Sequence, residues 1–549
     1  MSVAPAEMIV APRTGAWRGS TLAVVLCLPA LLPLVVIAFA LVSPETGVWA
    51  HLARYVLPEV VANTIKLVIG VALVAGALGT SLAWLTAMCD FPGRRWLEWA
   101  LLLPLAIPAY VLAFVAIGFL DYAGPLQTAL RSAFGTSSWV PPIRSTGGVI
   151  LVLSLAFYPY VYLMARNAFL TQGRRVLEVA QTFGYSRSAA IWRVALPMAK
   201  PWIAGGIALI CMEALADFGA VSIFNYNTFT TAIYRAWFGL FSVHAALELS
   251  AVLLAFVLIA LFFDRRSRAG VRYAASRDLS RHARAPLGSR TRWFASLYAG
   301  GVLAVAFVLP LLQLLWWAVK RAGRDLDARY WMFTMHSLVL AASAAIVIVG
   351  ASLVLAYLLR RQPSMFNHAT VRLATVGYAV PGTVLAVGTL FPLVMLNNAL
   401  QGLLSEVFGA SAPTLLLQST VIGVLLAYMA RFLAVGLHPI ESGLQRVTRS
   451  LDEAAIGLGV NGTRLVRSVH VPLLRSSLVT AAIMVFVDVM KEMPITLLTR
   501  PFGWDTLAIR VFNMTSIGEW ERAALPSVVI VAVGLIPAAM LSRGNAHVA

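Results

Sequence analysis

The chain has 549 residues, of which 60% are hydrophobic and 12% charged, and its mean hydropathy is +0.83. A soluble domain carries about a quarter charged residues, so that class is excluded. The net charge of +19 raises nucleic-acid binding, but the placement of the charge argues against it. Apolar runs of about 20 residues, each long enough to cross a bilayer as a helix, predict about twelve spans. They lie near 21–43, 63–88, 97–120, 147–168, 203–224, 246–263, 294–318, 336–359, 371–396, 414–436, 478–498 and 524–542. The first run is long and lacks a clear small-residue cleavage site, so it reads as a retained span. Lys and Arg gather in the segments on the side of the N-terminus. By the positive-inside rule that side is the cytoplasm, and both termini are expected there. Membrane lipid is then the partner of the basic face, and no nucleic acid is expected.

After the fourth span comes EVAQTFGYSRSAAIWRVALP, from Glu178, and after the tenth EAAIGLGVNGTRLVRSVHVP, from Glu453. Glu178 and Glu453, Gly184 and Gly459, and Pro197 and Pro472 are each 275 residues apart, almost half the chain. The spans around them repeat as well: NTIKLVIGVALVAGALGTSLAWL from Asn63 resembles HSLVLAASAAIVIVGASLVLAYL from His336. Six crossings return the chain to its starting side, so the repeat is parallel, with a pseudo-twofold axis along the membrane normal. The halves are expected at 1–263 and 294–549, with the polar passages at about 172–201 and 437–476. A basic cytoplasmic linker is expected over 264–293, mobile and close to anionic lipid.

In each passage a helical start, a Gly able to adopt a left-handed turn and an amphipathic stretch predict a cytoplasmic helix–turn–helix, limited by the Pro. One copy would suit a simple interfacial anchor. Two matching copies favour a docking surface for a twofold partner.

The fifth predicted span carries Glu213 and Asp217, and the eleventh carries Asp488 and Glu492. The offset of 275 superposes Glu213 on Asp488 and Asp217 on Glu492. An i, i+4 pair lies on one helix face, and ionisable groups inside spans are costly enough to suggest function. Four carboxylates around a pseudo-twofold axis would favour a hard cation that prefers oxygen ligands. The alternative is that they hold the helices together, with Lys491 neutralising one. No stable metal site is predicted, only transient contact at these four residues. Cys27, Cys89 and Cys211 show no ligand or disulfide spacing. A phosphate-binding loop needs a Lys directly after a Gly. Lys66, Lys200, Lys320 and Lys491 follow Ile, Ala, Val and Met, so ATP hydrolysis, if used, belongs to another subunit. An ion-driven secondary transporter remains an alternative on these residues alone.

Both polar passages resemble the EAA loop of ABC-importer permeases. The second matches through Glu453, Ala454, Ala455, Gly459 and Pro472; the first matches through Glu178, Ala180, Gly184 and Pro197 and departs at Val179, where Ala is usual. ADFGAVSIFNYNTFTTAIYRAWFGL from Ala216 and FVDVMKEMPITLLTRPFGWDTLAIRVF from Phe486 are similar to segments of iron(III) importer permeases, with Met493 standing where Leu is usual. The resemblance implies an all-α type I importer permease fold, two fused halves in a bacterial inner membrane, and ferric iron as cargo. Thiamine, polyamine, phosphonate and sulfate permeases share the architecture or the loop. It also implies two copies of a cytoplasmic ABC ATPase gripping the loops, a periplasmic substrate-binding protein and one permease chain per complex. This chain would bind no cofactor and have no catalytic residue; ATP and Mg would be used by the ATPase.

Overall fold

The computed structural model describes residues 16–42, 46–172, 175–268, 285–409, 417, 420–460 and 462–546. Among these residues the fold is helical, apart from a two-residue parallel pairing of Cys89–Asp90 with Ala285–Pro286. Eleven helices are long and apolar enough to cross a membrane, or twelve when a pair bent by 69° is joined. In chain order the spans are α1 (Ala16–Val42), α2 (Leu57–Met88), α3 (Ala109–Leu120), α4 (Thr146–Gln172), α5 (Leu196–Ala216), α6 (Val243–Arg268), α7 (Ser289–Asp325), α8 (Ala328–Arg361), α9 (Gly382–Phe408), α10 (Val421–Leu444), α11 (Arg475–Lys491) and α12 (Trp520–Ala546). The protein is thus an all-α integral membrane protein of two six-helix halves.

The repeat is kept in the helix ends, with a two-residue change of offset within each half. Thr146 and Val421 open α4 and α10, and Ala216 and Lys491 close α5 and α11; both pairs are 275 apart. Earlier in each half the offset is 273, as at Met88 and Arg361, which close α2 and α8. Of the linker expected over 264–293, residues 269–284 lie outside the described ones. Helix α6 runs through its start to Arg268, where basic residues suit a helix C-terminus, and α7 opens within it at Ser289.

The halves interlock. Helix α1 packs on α9 and α10 of the other half, and Gly388 of α9 makes that approach possible: a Cβ there would stand 2.8 Å from the Pro33 carbonyl oxygen. Helix α7 reaches back to α3, where Trp317 stacks on Phe114 with ring centroids 6.4 Å apart. In lipid, helices gain little from hiding apolar surface and associate by close packing, which small residues favour. Gly79 of α2 meets α4 this way, 2.8 Å from the Tyr158 carbonyl oxygen at the position of a Cβ. One buried cluster accordingly contains residues of both halves, among them Tyr158, Trp317, Tyr428 and Ile530.

Prolines shape the helices in two ways. Wide π turns at Leu52–Val56, Ile191–Ala195, Ala304–Val308 and Val466–His470 each end two residues before a proline: Pro58, Pro197, Pro310 and Pro472. A proline ring crowds the carbonyl four residues back and supplies no N–H, and the wider turn relieves both problems. This corrects the expectation that Pro197 limits its helix, for the chain stays helical from Arg187 to Ala216. Elsewhere the helix does break. The expected spans at 97–120 and 371–396 are each interrupted by a 3-10 turn, Leu103–Ala106 and Val376–Ala379, followed by Pro108 or Pro381. The expected spans at 203–224 and 478–498 are also discontinuous. They stop at Ala216 and Lys491 and resume as the short helices Gly219–Ile223 and Pro494–Thr499.

Candidate functional site

Both polar passages lie at one end of the helix bundle, called here the loop side. The first contains helix Arg175–Thr182 and the second helix Arg449–Gly457. Gly184 follows the first with φ 82° and Gly459 follows the second with φ 80°. The hydrogen bonds are the same in both. The Gly184 N–H donates to the Gln181 carbonyl and the Tyr185 N–H to Ala180, as Gly459 does to Ile456 and Val460 to Ala455. This is the Schellman closure, in which a left-handed Gly lets two carbonyls of the last helical turn be satisfied. Ala180 and Ala455 are buried, whereas Glu178, Glu453 and Ala454 face outward. Phe183 and Leu458, again 275 apart, stand at the tip of each turn, 78% and 84% exposed. Val179 beside Phe183 and Ile456 beside Leu458 are also exposed, so each turn presents more than one apolar side chain.

The loops are fastened differently. In the second, Asp452 accepts from the Arg360 guanidinium of α8 at 2.8 and 3.0 Å and pairs with His470 Nε2 at 2.8 Å. Arg360 also donates to the carbonyls of Leu444 and Val447. Partial burial raises the Asp452 carboxyl, but the hydrogen bonds from His470 and Arg360 outweigh it and hold the group below its ordinary value. In the first loop the corresponding positions are Leu177, Ala195 and Ala87, all buried in the main apolar cluster.

All four predicted carboxylates line one cavity of about 200 Å³ between the halves. Their roles differ, which corrects the picture of two carboxylates on one continuous helix face. Because α5 and α11 end at Ala216 and Lys491, Asp217 and Glu492 lie in the breaks. Asp217 accepts from the Val221 N–H at 3.0 Å. Glu492 accepts from the N–H groups of Ile495 and Thr496 and from the Thr496 hydroxyl, at 2.9–3.0 Å. Each carboxylate thus caps the short helix that resumes its span, where free N–H groups point. Glu213 and Asp488, one turn earlier, face the cavity, and no ion pair or hydrogen bond to either exists among the described residues.

Two cations complete the cavity, Arg431 from α10 and Lys491 at the end of α11. Lys491 Nζ donates to the Leu105 carbonyl at 3.2 Å and Arg431 Nη1 to the Val380 carbonyl at 3.4 Å. Both carbonyls belong to the proline breaks, which leave them without helical partners. The first half has Ala156 and Ala216 at the equivalent positions, so both cations come from the second half. Sequence reasoning weighed Lys491 as a counter-charge and missed Arg431. The signal for it was an Arg in mid-span facing an Ala in the repeat. No group of three His, Cys, Asp or Glu placed to hold a metal ion is found among the described residues.

Comparison with known proteins matches residues 75–273 and 348–546 to one family, the binding-protein-dependent transport system inner membrane components. That is one match per half, and together they cover most of the chain. The chain is 25% identical to the Fe(3+)-transport system permease protein FbpB 2 of Haemophilus influenzae, over 97% of this chain and 99% of that protein. It is 33% identical to a probable molybdenum ABC transporter permease protein of Haloferax volcanii, over 38% of this chain and 75% of that one. The sulfate transport system permease protein CysT of Salmonella typhimurium is 28% identical over 43% of this chain and 86% of that protein.

Proposed function

The chain belongs to the family of binding-protein-dependent transport system inner membrane components, a family of ABC-type transport permeases, and from that premise we propose that it is the fused permease subunit of a ferric iron importer. The observation that carries the cargo reading is the match to an iron(III) permease over nearly the full length of both chains; the molybdenum and sulfate permeases match over only part of this chain. The loop side faces the cytoplasm of a bacterium and both termini lie there. One permease chain works with two copies of an ATPase, which take ATP and Mg and bind the two turns at Phe183 and Leu458. A periplasmic binding protein delivers the ion to the opposite face.

The coupling follows from geometry. Each loop leads by a helix directly into α5 or α11, and those helices end at the cavity. ATP binding draws the ATPase copies together, moves the two loops and so moves the two breaks. The nucleotide supplies the energy by binding one permease conformation better than the other. Glu178, Ala180, Gly184, Pro197, Glu453, Ala454, Ala455, Gly459 and Pro472 shape the docking elements. Glu213 and Asp488 meet the ion, while Asp217 and Glu492 hold the breaks that frame it. Purification from the native membrane tests this reading: an ABC ATPase should copurify, and uptake should follow ATP rather than the proton gradient. Uptake abolished by an uncoupler at constant ATP, with no ATPase recovered, would overturn it.

A further inference from the structure

The central cavity does not end blindly. A second cavity shares Glu213, Ala216, Tyr378 and Arg431 with it. A third shares Arg372, Thr375 and His438 with the second and reaches the loop side at Arg360, Glu441 and Gln445. One face of α10 runs along all three. Arg431, Ala434, His438, Glu441 and Gln445 recur at intervals of three and four, the spacing of a single helical stripe. The opposite wall is the helix Met365–Thr375, which contributes His368, Arg372 and Thr375.

The first half does not repeat the residues that line this lane. At the positions of Arg372, Thr375, Arg431 and His438 it carries Trp99, Leu102, Ala156 and Leu163. Arg166, the counterpart of Glu441, lies over the Trp99 ring at 5.7 Å and pairs with Glu98 at 3.2 Å. Its polar groups are thereby turned onto one another.

We infer that cargo leaves the central cavity on one side only, through a lane paved by α10 of the second half. The inference rests on the transport reading above and adds the route and its chemistry. Imidazole and carboxylate oxygen are both ligands for a metal ion, and His438, Glu441 and His368 offer them singly along the lane, while Arg431, Arg372 and Arg360 in the same lining repel a bare cation and weaken each contact. The described residues contain no cluster of three such groups, so each contact is brief. A conducting path needs sites weak and numerous enough for the ion to move on. The mouth also contains Arg360, which fastens the second loop through Asp452, so movement of that loop acts on the exit.

Cysteine accessibility tests the lane directly. In the full complex with Cys27, Cys89 and Cys211 replaced by Ser, Thr375→Cys and its counterpart Leu102→Cys are exposed to a membrane-impermeant maleimide from the loop side. Because thiol reaction depends on access, Thr375→Cys should label at least about tenfold faster than Leu102→Cys. Labelling of Thr375→Cys should also stop iron uptake while ATP hydrolysis continues. Equal labelling at both sites, no labelling of Thr375→Cys, or full uptake after labelling would overturn the one-sided route. Absence of uptake in the unlabelled complex would count against the transport reading instead, and the labelling contrast would still decide the lane.

Discussion

The two polar loops have the same turn and opposite fastenings. Each closes on a left-handed Gly with the same two hydrogen bonds. The first is held by Leu177 and Ala195 in the apolar core, the second by the Arg360–Asp452–His470 set. Their exits differ too: the helix after the first loop is continuous through Pro197, whereas the one after the second bends by 69° at Leu474. The shared part is the surface that a twofold partner would read. The fastening is the part that differs between the halves.

Breaking the shared part should have the largest effect. Gly184→Val or Gly459→Val meets no steric obstacle, since nothing lies within 4 Å of an added Cβ. The cost is the backbone angle, about 1–2 kcal/mol for a residue with a side chain, and the turn should open. ATPase binding, measured by copurification, should fall sharply for either variant. Breaking the second fastening comes next. Asp452→Ala leaves His470, 1% exposed, and Arg360 without their carboxylate, and should destabilise the second loop by about 2 kcal/mol, read by hydrogen exchange over 449–460. The triple change Arg360→Ala, Asp452→Leu and His470→Ala copies the first half's residues and should cost less than Asp452→Ala alone, because no charge is stranded.

Acid should separate the loops in the same way. The Asp452 carboxyl is held below its ordinary value in the folded protein. Its contribution is therefore complete above the unfolded value, about 3.9, and is lost as pH falls through the lowered one. Exchange in the second loop should rise below about pH 4 while the first loop, fastened by apolar groups, stays protected. A smaller effect is expected at the breaks, where Asp217→Ala removes the acceptor that caps the resumed helix, costs about 1 kcal/mol and lowers thermal stability. Smallest of all is Val179→Ala, which restores the usual residue at a position 54% exposed and should change stability by less than about 0.5 kcal/mol.

Much of this was legible because it is local. Span length follows from apolar runs, the parallel repeat from a constant offset, and the turns from Gly184 and Gly459. The breaks were less so. Pro108 and Pro381 mark two of them, but prolines of the same chain at 197 and 310 sit in unbroken helices, and only the packing distinguishes these cases. At Asp217 and Glu492 a carboxylate reads equally as a pathway group or a cap until the helix is seen to stop. Lys491 and Arg431 serve carbonyls freed at breaks far away in sequence, as in Lys491 to Leu105, and no local pattern shows that pairing. The fastening by Arg360, Asp452 and His470 was missed for the same reason.

If the cavity between the halves passes the ion, with Glu213 and Asp488 as its point of contact, neutralising both should stop transport. The most direct test is uptake of ferric iron by the reconstituted complex carrying Glu213→Gln and Asp488→Asn together. On this reading uptake falls at least about tenfold, as expected on removing charges that line a conducting path, while the complex assembles and still hydrolyses ATP. Undiminished uptake by that double variant would contradict it.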